Sequence, residues 1–242
     1  MHKNLLAVIA GLMLVSSFNI AHAQSARSLF SASSGVTFSS NVDEGKKSTV
    51  KPSQYLGVAY TIFKEVGDGT TVKVSPKTIF KSGDRIKVQV TPNTSGYLKV
   101  LNVDPLGNSS VLSMQNVQAG GAVNIPSNGF LKFVGNKGVE ELIFILSTKS
   151  LPVLEQTSAQ QIITFVGSCS SQPRTRALVI DDVGGNEFNV LNSDGTCASR
   201  PKNSNTRALV VDVQENTGYG VVPSKTLTDG QVLTLKIRLR HD

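Results

Sequence analysis

Two adjacent carboxylate pairs, Glu140-Glu141 and Asp181-Asp182, are the residues of this chain best suited by type to acid–base work. Hydrolysis of a glycosidic bond needs two carboxyl groups roughly 5 to 9 Å apart, one to protonate the leaving group and one to attack or to activate water. Neighbouring residues of a strand point to opposite faces, so neither pair is placed to cooperate, and both read as solvated strand ends. Asp181, Asp182, Asn186, Glu187, Asn192 and Asp194 surround Gly184-Gly185 with oxygen ligands that suit calcium, but their spacing matches no established calcium loop. His2 and His22 sit in an N-terminal leader, which leaves His241 beside the terminus as the one imidazole for a serine or cysteine nucleophile. A Gly-x-Ser-x-Gly elbow is absent, as are the phosphate-cradling Gly-x-x-x-x-Gly-Lys and the dinucleotide Gly-x-Gly-x-x-Gly patterns. These counts assign no catalytic, cofactor-binding or metal-ligating residue and imply no cofactor. The reading is of a protein that is not an enzyme.

Cysteine chemistry is simpler. Cys169 and Cys197 are the only two cysteines, lack the Cys-x-x-Cys spacing of a redox pair, and have no neighbouring histidine with which to hold zinc. In an exported chain two cysteines pair, and closing a loop of that length contributes about 3.5 kcal/mol through loop-closure entropy.

Export is read from the first residues. Met1 to Ala23 has a short cationic start at His2 and Lys3, an apolar stretch from Leu5 to Val15, and Ala21-His22-Ala23 ahead of Gln24. That is the layout of a secretory signal peptide cut after Ala23, and it directs the chain to the periplasm or beyond. No cysteine stands near the cut to take a lipid. Past the leader the longest uninterrupted apolar run, Leu142 to Leu146, is far short of the roughly 20 residues that a membrane helix needs, so no transmembrane segment is expected.

The elements that must position any site are strands. Ile86, Val88 and Val90 alternate with Arg85, Lys87 and Gln89, and Leu233, Leu235, Ile237 and Leu239 alternate with Thr234, Lys236, Arg238 and Arg240. Such alternation puts one face in a core and the other in water. Leu142 to Leu146 is apolar at every position, as a central strand covered on both sides would be. Asp104-Pro105-Leu106-Gly107-Asn108 supplies a reversal. One helix is expected over Leu154 to Gln161, after Pro152. Thr175–Val179 recurs as Thr206–Val210, too short a repeat for a solenoid, and reads as two equivalent strands. Residues 24–54 form a Ser-rich arm, read as a mobile linker; its Leu29-Phe30 and Val36-Thr37-Phe38 would suit a strand if an edge were offered. The fold class is therefore all-β, a mainly antiparallel sandwich, Ig-like in general architecture, with at most one or two short helices. Its parts are the signal at 1–23, the arm at 24–54, a sandwich core at 55–150 and a C-terminal β extension at 151–242 that carries the disulfide and packs on the same sandwich.

Ser82-Gly83-Asp84-Arg85, the run Gly96 to Asp104, Ala119-Gly120 with Ile125-Pro126, and the run Gly138 to Ser147 together resemble the bacterial family catalogued as domain of unknown function 4384. The likeness spans about Val74 to Ser150. Leu112-Ser113-Met114-Gln115-Asn116 stands where that family commonly has Leu-Phe-Pro-Asn, so a groove shaped by that loop differs here. The resemblance implies an exported accessory or recognition role and transfers no activity.

Charge supplies the remaining candidates. The chain carries a formal net charge of +7, distributed rather than blocked. Arg85, Lys87, Lys99, Lys236, Arg238 and Arg240 on strand faces form the candidate binding surface, either for an anionic envelope polymer or as gatekeepers against edge-to-edge aggregation. Few aromatics are interleaved with them, and no nucleic-acid partner is expected. The function expected is an exported, non-enzymatic recognition or assembly module of the envelope or cell surface, with an envelope or surface protein as its partner. The alternative is a binding protein for an anionic polymer or polysaccharide, and a third reading is an enzyme of unrecognised type.

Overall fold

Strands with one apolar face must pair those faces, and two sheets result. The computed structural model describes residues 26–34, 55–149, 157–170, 187–192, 194–198, 210–214, 216–224 and 230–242. The first sheet is built around β1 (Tyr55–Gly67), flanked on one side by β4 (Arg85–Pro92) and then β7 (Val123–Ile125), and on the other by β12 (Thr217–Pro223) and β11 (Val210–Gln214). Two short strands complete it: β2 (Thr70–Val74) on β1 and β8 (Leu131–Lys132) on β4. In the second sheet the order is β10 (Glu187–Leu191), β13 (Val232–His241), β9 (Gly138–Ser147), β5 (Gly96–Val103), β6 (Ser109–Val117). All these pairings are antiparallel; β3 (Ile79–Phe80) joins the end of β13 in parallel. The C-terminal strands are thus built into both sheets.

The inner faces meet in one core. Ile86, Val88 and Val90 of β4 face Leu142, Phe144 and Leu146 of β9 and Leu233, Leu235, Ile237 and Leu239 of β13, all buried. Tyr60 and Phe144 stack across the interface with ring centroids 6.1 Å apart. The Tyr60 ring lies so close over Gly218 that a Cβ there would stand 2.2 Å from it, which is why β12 has glycine at that point.

The outer faces are partly apolar too, and each has a helix on it. Helix α2 (Ala159–Ser170) lays Ile162, Val166 and Cys169 against Leu101, Val103, Ile143 and Ile145 of the second sheet. Hence the unbroken apolar run of β9: its two faces bury against the other sheet and against α2. The helix starts later than the expected Leu154–Gln161. Its start is set by a reciprocal cap, in which the Ser158 hydroxyl accepts from the Gln161 N–H at 3.3 Å and the Gln161 side chain accepts from the Ser158 N–H at 3.1 Å. On the first sheet α1 (Ala26–Ser34) buries Ala26, Leu29 and Phe30 against Ala59, Tyr219 and Val221. Over Ala26–Ser34 a helix stands where a strand at Leu29-Phe30 or a mobile linker is expected, because apolar residues at the first, fourth and fifth positions make one helical face; residues 35–54 of the arm lie outside the described residues. Val36 to Phe38 lie outside the described residues, as do the signal segment 1–23 and Thr175–Val179.

Candidate functional site

At the end of the sandwich where β5 finishes and β9 begins, the two sheets part and leave an open cleft of about 280 Å³. Its floor is apolar, formed by Ile86, Leu142 and Leu239 of the core with Leu131 and Phe133 beside them. Leu112 of β6 lines it as well; it is the leucine this chain shares with the family's Leu-Phe-Pro-Asn, and the residues that depart from that pattern are not among the lining.

Glu140 is the unusual residue of this cleft. Leu142, Phe144 and Leu146 show that the even positions of β9 face the core, and Glu140 continues that parity. A carboxyl group therefore stands at a core position, where it accepts from Asn102 Nδ2 at 3.2 Å. No ion pair neutralises it among the described residues. Burial pushes its pKa up and the nearby Asp104 charge adds to that, against the opposing effects of the Asn102 hydrogen bond and His241. Asp104 stands on the rim, in the turn between β5 and β6. Its carboxylate accepts from Asn108 Nδ2 and from the N–H groups of Leu106 and Asn108, which hold it ionised below the usual range. The turn packs against β9 through Pro105, only 2.8 Å from where a Cβ on Gly138 would sit, so glycine lets the rim approach. Lys132 is the basic member of the lining. Leu106, in the same turn as Asp104, and Val134 are 68% and 61% exposed.

Glu141 points the other way, as strand alternation requires. On the outer face it accepts from Arg238 Nε at 3.1 Å and pairs with Lys236 Nζ at 3.4 Å. The adjacent acids thus serve different faces. Asp181 and Asp182 lie outside the described residues, as does Asn186 of the proposed calcium ligands. Asp194 and Asn192 hold the turn at Thr196 instead: Asp194 Oδ1 accepts from the Thr196 N–H at 2.9 Å and from its hydroxyl at 2.6 Å.

The six basic candidates do not form one surface. Arg85 and Lys87 lie on the first sheet, their charges 4.7 and 5.1 Å from the Phe130 ring centroid, and Arg85 also pairs with Glu65 at 2.8 Å. Lys99, Lys236, Arg238 and Arg240 belong to the second. Lys99 is buried, donating to the Thr157 carbonyl at 3.2 Å, and Lys236 is buried beside Glu141. Arg240 is the open end of the row, its side chain 65% exposed and paired with Asp242 at 3.0 Å. Strand alternation alone would place Lys99 in water, but the Thr157 carbonyl, just ahead of α2, meets its ammonium.

His241 is also relocated. Far from a loose terminus, it pairs with Gly138 and Phe80 at the end of β13 and is fully buried, its ring against Phe133. Its Nε2 lies 2.9 Å from Ser82 Oγ, a contact across 159 residues that only the parallel β3–β13 pairing creates. The contact has the length of a nucleophile–base pair, but Nδ1 has no partner to orient the ring among the described residues. The Gly83 and Asp84 N–H groups are already donated, to the carbonyls of Phe133 and Lys81. The contact ties the end of β13 to the turn after β3.

Cys169 and Cys197 are bonded, tying α2 to the chain after β10. This fits a non-cytoplasmic compartment. No helix among the described residues is long and apolar enough to cross a membrane.

These features define a two-sheet sandwich with a helix on each outer face and a cleft at one end. Residues 79–150, from β3 through β9, match the model of the family described as Domain of unknown function (DUF4384), which supports the resemblance and includes most of the cleft. No curated protein and no solved structure gives a significant match to the chain.

Proposed function

We propose that the protein is an exported, non-enzymatic recognition or assembly module of the bacterial envelope or cell surface, cut after Ala23, with an envelope or surface protein as its partner. The observation that carries this reading is the cleft: an apolar floor, a few convergent polar groups, exposed Val134 in its lining, and exposed Leu106 in the same turn as Asp104. Concave sites of that make-up are where ligands are taken. The disulfide supports export. The polymer-binding alternative draws less support, because the basic side chains are divided between two sheets and two of them are buried.

The test is capture from envelope extract by the tagged, oxidised protein, with chemical crosslinking and mass spectrometry. A specific protein crosslinked near Leu106 or Val134 is the expected result. Retention of an anionic polysaccharide, eluted by salt and with no protein partner, would replace this reading with the alternative.

A further inference from the structure

We infer that the cleft takes an alkylammonium group, the side chain of a lysine on the partner's surface. The inference rests on the recognition reading and names the chemistry of its site.

The first observation is the break in pattern. Inward positions of β5 and β9 are filled with Leu98, Val100, Leu142, Phe144 and Leu146 until Asn102 and Glu140, where an amide and an acid replace apolar residues. A charge at a core position costs stability, and local rules are broken in this way mostly at functional sites. Here the break coincides with the opening between the sheets. The second observation is size. About 280 Å³ lies at the lower edge of small-molecule sites, roughly 300 to 1,000 Å³, and so suits one side chain or a short amphiphile. The third is sign. Glu140 and Asp104 place two carboxylates against the single ammonium of Lys132. Lys132 is exposed and well screened, whereas Glu140 is half-buried and its field is screened less. A cation enters favourably and an anion does not. Leu112, Leu131 and Phe133 would line its methylene stem, since long basic side chains bury their stems along apolar walls.

A pH dependence follows. Glu140 must be ionised to hold the cation, and because burial raises its pKa the loss of binding on acidification begins at a higher pH than an ordinary carboxylate would set. The other titratable groups that act on it are Asp104 and His241, with Lys132 in the same lining. Glu140→Gln keeps all three, so any pH dependence left in that variant is theirs.

The experiment titrates the oxidised protein with hexylammonium and hexanoate, followed by NMR of the cleft residues. It then repeats the titration with a short extended peptide containing one central lysine and with its acetyl-lysine counterpart. Hexylammonium and the lysine peptide should both shift Asn102, Glu140 and Leu131 resonances. Glu140→Gln should weaken both by about tenfold or more. Lys132→Glu, on the exposed rim and harmless to the core, should tighten both. Equal or better binding of hexanoate, or weaker ammonium binding in Lys132→Glu, would overturn the inference. Hexylammonium binding without peptide binding would overturn its lysine part and point to a free amine. Partner capture that persists in Glu140→Gln would sink the inference and leave the recognition reading standing. Ammonium binding in a protein that captures no partner would do the reverse.

Discussion

Glu140 shows how one residue can trade stability for a site. Its carboxyl is partly withdrawn from water with one amide donor, so the charged form is disfavoured in the folded state. For an acid whose folded pKa lies above its ordinary value of 4.5, the native state holds the proton over a window where the unfolded chain has lost it. Stability therefore falls as pH rises through that window and is recovered as pH drops back towards 4.5. Asp84 has the opposite sign. Burial pushes it up, but the Lys64 ammonium and the Lys81 N–H outweigh burial and hold it low, so its contribution is present above its ordinary value of 3.8 and lost in stronger acid. Urea unfolding followed from pH 7.5 down towards 4.5 should show the stability of the wild type relative to Glu140→Gln rising as the pH falls. At pH 7.5 Glu140→Leu should be more stable than wild type by roughly 1 kcal/mol, the scale of relieving a poorly paired buried polar group. A less stable Glu140→Leu would mean that the carboxyl is structurally needed.

At the scale of elements, the strands were legible and the helices less so, for a physical reason. Alternation in β4 and β13 states both the element and the buried face, since Ile86, Val88 and Val90 can share one side only of a strand. The run Leu142 to Leu146 states a doubly covered strand but hides its parity, because both faces are apolar; that is why Glu140 reads as a solvated strand end until register is known. Helix α1 was present in the spacing of Ala26, Leu29 and Phe30 and was obscured by serine-rich surroundings. In α2, Ser158 and Gln161 form a capping pair ahead of Ile162, Val166 and Cys169, a signal that favours Ala159 as the start. Burial of Lys99 and Lys236 is tertiary and has no local signature. The packing of α1 predicts a cost: Phe30 is fully buried with its ring edge-on to Tyr219 at 5.7 Å. Phe30→Ala should lower unfolding free energy by about 3 kcal/mol with an unchanged strand signature by circular dichroism. A cost below about 1 kcal/mol would show that the helix contributes little to the fold.

For the whole molecule, compartment and architecture are linked through Cys169–Cys197. Helix α2 hides Leu101, Ile143 and Ile145 on the outer face of the second sheet, and the disulfide is the covalent tie that keeps it there. Without that tie the helix must hold its place by its own buried stripe, and a 12-residue helix is marginal alone in water. A chain oxidised only after export would thus complete its second outer face at its destination. Protein recovered from the exported fraction should begin at Gln24 by intact mass and carry both cysteines oxidised, whereas precursor retained with Met1 should carry two thiols. Cys169→Ser with Cys197→Ser should lose up to about 3.5 kcal/mol of stability and bind an apolar dye where α2 has lifted from the sheet. Exported protein that keeps Met1, or whose cysteines map as free thiols under native conditions, would overturn the link between export and this fold.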